Sequence, residues 1–285
     1  MSTYPRTGLQ RILSGAPNPV LRARLVDQDG EPVTVDQGTI TCTITRSDGT
    51  QVGAADRAVT DTIDRVTCQM TTAEAATLDV LTATWRIGGV TRHVSHHRVI
   101  GAWPFSIAEL GQRAGVVEGF DRDEMFAQRD RVLDLVEHVT GVAWQPQYDV
   151  TRHHFRWAQR VVLHRPLRAV RSIIDEDGLP VDLTDLQIDH GAGIADIDGA
   201  IAGWYSIGHE HGYDQPPADL RDAMLTLAAD GLRRDLSPIS RRARTVSDGL
   251  GVTQQFAWAG PGHPTGIDDV DAVLMRYVGA DDGIA

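Results

Sequence analysis

Residues 81–100 read LTATWRIGGVTRHVSHHRVI. Polar and apolar positions alternate from Leu81 to Ile87, two glycines follow, and a second extended run goes from Val90 to Ile100. Period-two alternation sends successive side chains to opposite faces of a strand, and paired glycines permit the positive backbone angles of a tight turn. The stretch is expected to be a hairpin. Upstream the same pattern recurs in short pieces: Leu21, Ala23 and Leu25 alternating with Arg22 and Arg24, then Thr39 to Arg46 and Arg65 to Met70. Asp29-Gly30 supplies another turn, and the Ala-rich Thr72 to Leu78 reads as a short helical or bent crossing. Several short strands separated by turn signals predict a β-sandwich of about the immunoglobulin type over residues 20–101. Residues 1–19 carry Gly and Pro without periodicity and read as an arm.

Downstream of the hairpin the composition changes at Gly101-Ala102-Trp103-Pro104, where a domain boundary is expected. Ser106-x-x-Glu109 has the form of a capping box, and Asp121-x-x-Glu124 opens the clearest helix in the chain, stopped by Gly141. Met125, Phe126, Val132, Leu133, Val136 and Val139 form its apolar stripe; Asp123, Arg129, Asp130, Asp134 and Glu137 charge the other face. Extended sequence follows at Phe155 to His164 and Val170 to Ile174, then two short strands around Gly199 within Ile194 to Ile207. Pro216-Pro217 starts a further helix whose stripe, Leu220, Ala223, Met224, Leu227, Ala228 and Leu232, suits packing on the first. After Asp235 about thirty residues lack clear pattern before a short helix from Ile267 to Tyr277, a length of loop uncommon inside a compact domain. The expected architecture is α+β and multidomain: sandwich at 20–101, a small helical bundle with a β-rich insertion at 104–235, and an extended C-terminal arm ending in a short helix at 236–285.

The chain has 285 residues, 41% of them hydrophobic and 23% charged, enough to bury real cores. Its formal net charge of −12 opposes generic nucleic-acid binding, which needs a clustered basic surface. No run approaches the ~20 apolar residues of a membrane span, and residues 1–19 lack the apolar block of a signal peptide, so synthesis in the cytoplasm and no membrane partner are expected. The two cysteines, Cys42 and Cys68, match no metal or redox spacing and read as core thiols.

Three histidine groups invite a metal reading. His93, His96 and His97 sit on one strand, and without an acidic or cysteine companion they read as surface residues. His153-His154 would point to opposite faces. His209-Glu210-His211 places both rings on one side of a strand, but a metal there needs a third ligand from elsewhere in the chain. No nucleophile elbow, P-loop, dinucleotide fingerprint or HExxH helix is present, and the acidic pairs lie at a helix start and a terminal tail. The expectation is no catalytic residue, no metal and no cofactor. Trp144, Trp157, Trp204 and Trp258 read as core or interface anchors, and the basic run Arg241-Arg242-Ala243-Arg244 as a linker suited to an acidic protein neighbour.

Two strings are more specific. Residues 208–221, GHEHGYDQPPADLR, and 264–277, PTGIDDVDAVLMRY, together with the order of helix, extended middle and helix around them, resemble the head-to-tail adaptor (connector) proteins of long-tailed phages, especially those infecting actinobacteria. The leading strands, with DGEPV at 29–33 and ATLDVLTATW at 76–85, are similar to the same family, so the resemblance covers nearly the whole chain. It implies a virion structural protein without enzymatic activity, found in the neck between capsid and tail and assembled in the host cytoplasm. Its implied partners are itself, in a ring commonly of twelve copies, the portal protein, and a stopper or tail-completion protein. The resemblance further implies that encapsidated double-stranded DNA passes through the channel without sequence-specific binding, and like-charge repulsion from an acidic wall would keep it moving. Carried over, the portal and neighbour contacts fall on Arg241, Arg242, Arg244, Ile267, Val270, Leu274 and Tyr277. The β-domain departs from minimal family members, which lack it. Two alternatives stay open: another connector ring protein, stopper or tail terminator, or a carbohydrate or host-surface binding module using the β-domain.

Overall fold

The computed structural model describes residues 9–25, 40–62, 65–115, 121–236, 245–247, 253–255 and 263–278. The chain is mixed and mostly β, with four helices among the described residues. It divides into two compact units, each drawn from two stretches of sequence. The first is residues 1–102 with 145–214; the second is residues 103–144 with 215–285.

In the first unit, β1 (Gln10–Leu13), β2 (Val20–Ala23), β3 (Ile40–Thr45), β4 (Arg57–Ala58), β5 (Thr60–Thr62), β6 (Arg65–Gln69), β7 (Asp79–Ile87) and β8 (Val90–Ile100) form two sheets. One runs β1-β8-β7-β3-β4 and the other β2-β6-β5. The hairpin read from residues 81–100 is β7–β8, turning at Gly88 and Gly89, both at positive φ. Alternation does what it should: Ile40, Cys42 and Ile44 of one sheet and Leu21, Val66 and Cys68 of the other all point into a single core around Trp85. Residues 10–13 are not part of an arm. They add a parallel strand to β8, with Ile12 in the core, because a short apolar stretch gains more from an exposed sheet edge than from water. Thr72 to Leu78 forms turns, not helix. Asp29-Gly30 lies outside the described residues.

The same unit holds β9 (Gln147–Val162), β10 (Leu167–Asp175), β11 (Gln187–Asp189) and β12 (Ile194–His211). β12 lies between β10 and β9 and is one 18-residue strand rather than two, with a register shift between Asp196 and Ile201 where Gly199 takes φ +81°. Val161, Leu163, Leu167, Ile173, Ala195, Ile197, Ile201 and Ile207 form its core. The insertion therefore belongs with the β-rich unit, not with the helices. Arg98 of β8 donates to Gln147 Oε1 of β9 at 2.7 Å, and Arg171 of β10 donates to the Leu78 carbonyl at 2.7 Å.

In the second unit, α1 (Ile107–Ala114) starts on the expected capping box: Ser106 Oγ accepts from Glu109 N–H, and Glu109 accepts from Ser106 N–H. α2 (Arg122–Thr140) is capped by Asp121 and ended by Gly141 in the left-handed conformation. α3 (Ala218–Leu236) packs against both, burying Leu220, Met224, Ala228 and Leu232 against Leu110, Val132, Leu133 and Val136. A two-stranded ribbon, β13 (Thr245–Ser247) and β14 (Thr253–Gln255), precedes α4 (Asp268–Leu274). Arg129, read as part of a charged face, is buried with its guanidinium 3.3 Å from the Trp103 ring centroid. No helix among the described residues is long and apolar enough to cross a membrane.

Candidate functional site

Four of the seven residues in the contact set carried over from the resemblance lie in or beside α4. Val270 and Leu274 are 2% and 0% exposed, in the same core as Leu220 and Met224, and Ile267 and Tyr277 pack partly buried against it. Tyr277 meets Trp144 edge-on at 5.3 Å between ring centroids and donates its hydroxyl to Asp219 at 2.7 Å. The Asp219 carboxyl is held below the ordinary carboxylate range by that hydrogen bond. Asp271, itself buried, accepts from the Thr265 and Gly266 backbone N–H groups and from the Thr265 hydroxyl, which fixes the entry to α4. The apolar stripe of α4 therefore serves its own chain. A seven-residue helix buries a stripe wherever a groove exists, and α3 supplies one here. Arg241, Arg242 and Arg244 lie outside the described residues, as does Trp258.

The β9–β12 ribbon carries exposed aromatic and basic side chains. Arg152, His154 and Arg156 of β9 are exposed, whereas Thr151 is buried and His153 and Phe155 are half-buried, as alternation requires. His153 and His154 thus do point apart. Trp204 of β12 sits opposite His154, with centroids 5.0 Å apart and the Arg152 guanidinium 4.9 Å from its ring centroid. Trp157 is 80% exposed and takes φ +74°, a backbone region costly for any residue with a β-carbon. It lies beside the irregular register at Ile201 and Ala202. Val162 at the end of β9 is exposed as well. Both tryptophans are exposed on this ribbon, with Arg152 over Trp204, and exposed aromatics and arginines are the side chains that protein interfaces favour. The sequence offered these tryptophans as core or interface anchors without separating them; Trp144 is core, Trp157 and Trp204 are surface.

The histidine groups also part company. His97 is buried, not a surface residue: its Nε2 lies 2.8 Å from Ser95 Oγ, which accepts from the Trp85 indole at 2.8 Å. Burial, with the nearby His96 and His93, lowers its pKa to about 3. His209 and His211 do share a face of β12, and His164, from the turn between β9 and β10, joins them. Nothing in the sequence spacing pointed to His164. Cys42 and Cys68 meet across the sandwich core as free thiols, and the Cys42 thiol is pushed up by its contact with Cys68 and by burial.

No protein-family model matches the chain, and no curated protein matches it either. Among solved structures, a chain of the neck of an empty gene transfer agent particle is similar at 19% identity and a TM-score of 0.42, covering 61% of this chain and 89% of that one. A chain from the virion of a native gene transfer agent particle is similar at 16% identity, TM-score 0.42, with the same coverage. A ZIG-8–RIG-5 IG1–IG1 heterodimer is similar at 13% identity and TM-score 0.23, covering 34% of this chain and 84% of that chain.

Proposed function

We propose that the chain is a structural subunit of a tailed-phage neck, a head-to-tail adaptor that forms a ring on the portal and passes DNA toward the stopper and tail. The reading starts from the resemblance carried by GHEHGYDQPPADLR and PTGIDDVDAVLMRY, which run through the end of β12 into α3 and along α4. The observation that carries it is the exposed pair Trp157 and Trp204 on the β9–β12 ribbon. A monomer has no use for a strained, exposed tryptophan, whereas an assembling subunit does. We assign that surface to a second copy of the chain. Arg152 and Arg156 flank the tryptophans, and a neighbour of net charge −12 offers them complementary charge. In this reading the basic run 241–244 is a second contact, toward the portal, while α4 is an internal brace.

The test is to mix purified full-length chain with portal rings and image the product. A ring of added density beneath the portal is expected. The double variant Trp157→Ala/Trp204→Ala should keep its circular dichroism spectrum yet give no ring. Portal rings that stay bare with the unaltered chain, or rings that form as well with the double variant, would each overturn the assignment of this surface.

A further inference from the structure

From the geometry of His164, His209 and His211 we infer a binding site for one divalent cation of the zinc class, a staple in the β-rich unit. The inference is independent of the proposed function. His209 and His211 alternate on β12, so both rings project from one face. His164 comes from the four-residue turn between β9 and β10 and stacks on His209 with its ring centroid 5.2 Å away, while the His211 ring lies tilted to it at 4.5 Å. One ring nitrogen from each of the three lies within 4.8 Å of the others, and His164 Nδ1 is 3.0 Å from His209 Nε2. Two nitrogens bound to a tetrahedral zinc at about 2.05 Å stand about 3.3 Å apart, inside that span, so small side-chain rotations close the site.

Three further features belong to a built site. His209 Nδ1 lies 3.3 Å from the Ile207 carbonyl; donating there leaves the Nε2 lone pair directed at His164, the way metal-bound imidazoles are commonly oriented. The turn carrying His164 is pinned. Leu163 N–H donates to the Gly193 carbonyl at 2.8 Å, and Gly212 N–H to the Pro166 carbonyl at 2.9 Å. Gly193 takes φ +68°, and a β-carbon there would stand 2.9 Å from the Leu163 carbonyl oxygen, so only glycine lets the turn sit this close. Finally, His209 and His211 are buried while His164 is half-buried, leaving an approach from the His164 side. Three neutral imidazoles suit zinc, cobalt or nickel far better than calcium or magnesium, which demand oxygen. A water would supply the fourth ligand of a tetrahedral shell.

The experiment titrates the full-length chain with Co2+ alone, then displaces it with Zn2+. One equivalent should produce the intense visible absorption of tetrahedral cobalt, abolished by one equivalent of zinc. Zinc should also raise the unfolding midpoint of the unaltered chain. His209→Ala and the half-buried His164→Gln should each weaken binding by more than about a hundredfold, beyond what loss of an outer partner causes. His93→Ala/His96→Ala should leave it unchanged. Absence of stoichiometric binding by the unaltered chain would overturn the site whatever the variants do, and so would full retention of binding in His164→Gln.

Discussion

A buried imidazole held neutral makes one residue a measurable sensor of pH. His97 titrates near 3 in the folded chain because burial disfavours its cation, against an ordinary value of 6.5. Above pH 6.5 it is neutral folded or unfolded and has no effect. Below it the unfolded chain binds the proton first, so stability falls by about 1.4 kcal/mol per pH unit until pH nears 3. Burial lowers His96 and His153 as well, adding to the same slope. Denaturant unfolding at pH 6.5 and 5 should therefore differ by about 2 kcal/mol on account of His97. His97→Gln should flatten that difference even if it destabilises the chain at both values. Little of this was legible in the sequence: the pattern put His93, His96 and His97 on one strand but did not show that His97 meets the core. Arg129 was misread for a related reason. A helical stripe assigns charge to solvent, and only the fold shows Trp103 stacked beneath it.

Among elements, α4 is the one whose packing partner the sequence leaves most open. Seven residues of helix with an apolar stripe are compatible with docking on another molecule or on the same chain, and sequence has no means to choose. Since Leu274 is fully buried beside α3, Leu274→Ala should lower stability by about 2–5 kcal/mol, read from urea unfolding of the isolated protein. A surface-docking residue would shift the midpoint hardly at all. Near the C-terminal end of β12, Gly208 admits no side chain: a β-carbon would stand 2.1 Å from Tyr148 Oη and 2.7 Å from Ser172 Oγ, on the two flanking strands. Gly208→Ala should cost about 1–3 kcal/mol by forcing them apart, checked by the same unfolding assay. The strands themselves were readable from period-two alternation, and so were the capping box of α1 and the stop of α2. The continuity of β12 was not, because Gly199 punctuates the pattern as a turn would, while here it relieves a shift in register.

At the scale of the molecule, removing residues 237–285 takes α4 away from α3. The truncated chain should expose Leu220 and Met224, bind a hydrophobic dye and melt well below the full chain by calorimetry. A truncation that melts unchanged would mean that the helical core closes without α4. The change in composition at Gly101 to Pro104 and the matching stripes of residues 125–139 and 220–232 were visible in the sequence, but the joining of residues 145–214 to the β-rich unit was not, since no local signal marks that long-range pairing.

The return of the chain after residue 214 to the unit that residues 103–144 begin has a consequence for synthesis. α1 and α2 leave the ribosome with their apolar sides uncovered, and α3 follows only after the inserted sheet, residues 145–214, has been translated. At roughly 5–20 residues per second, about seventy residues of delay leave those two helices awaiting their partner for on the order of 4–14 seconds. Nascent chains paused in that interval are where chaperone capture and aggregation would concentrate, and an independently closed β-rich unit would emerge first.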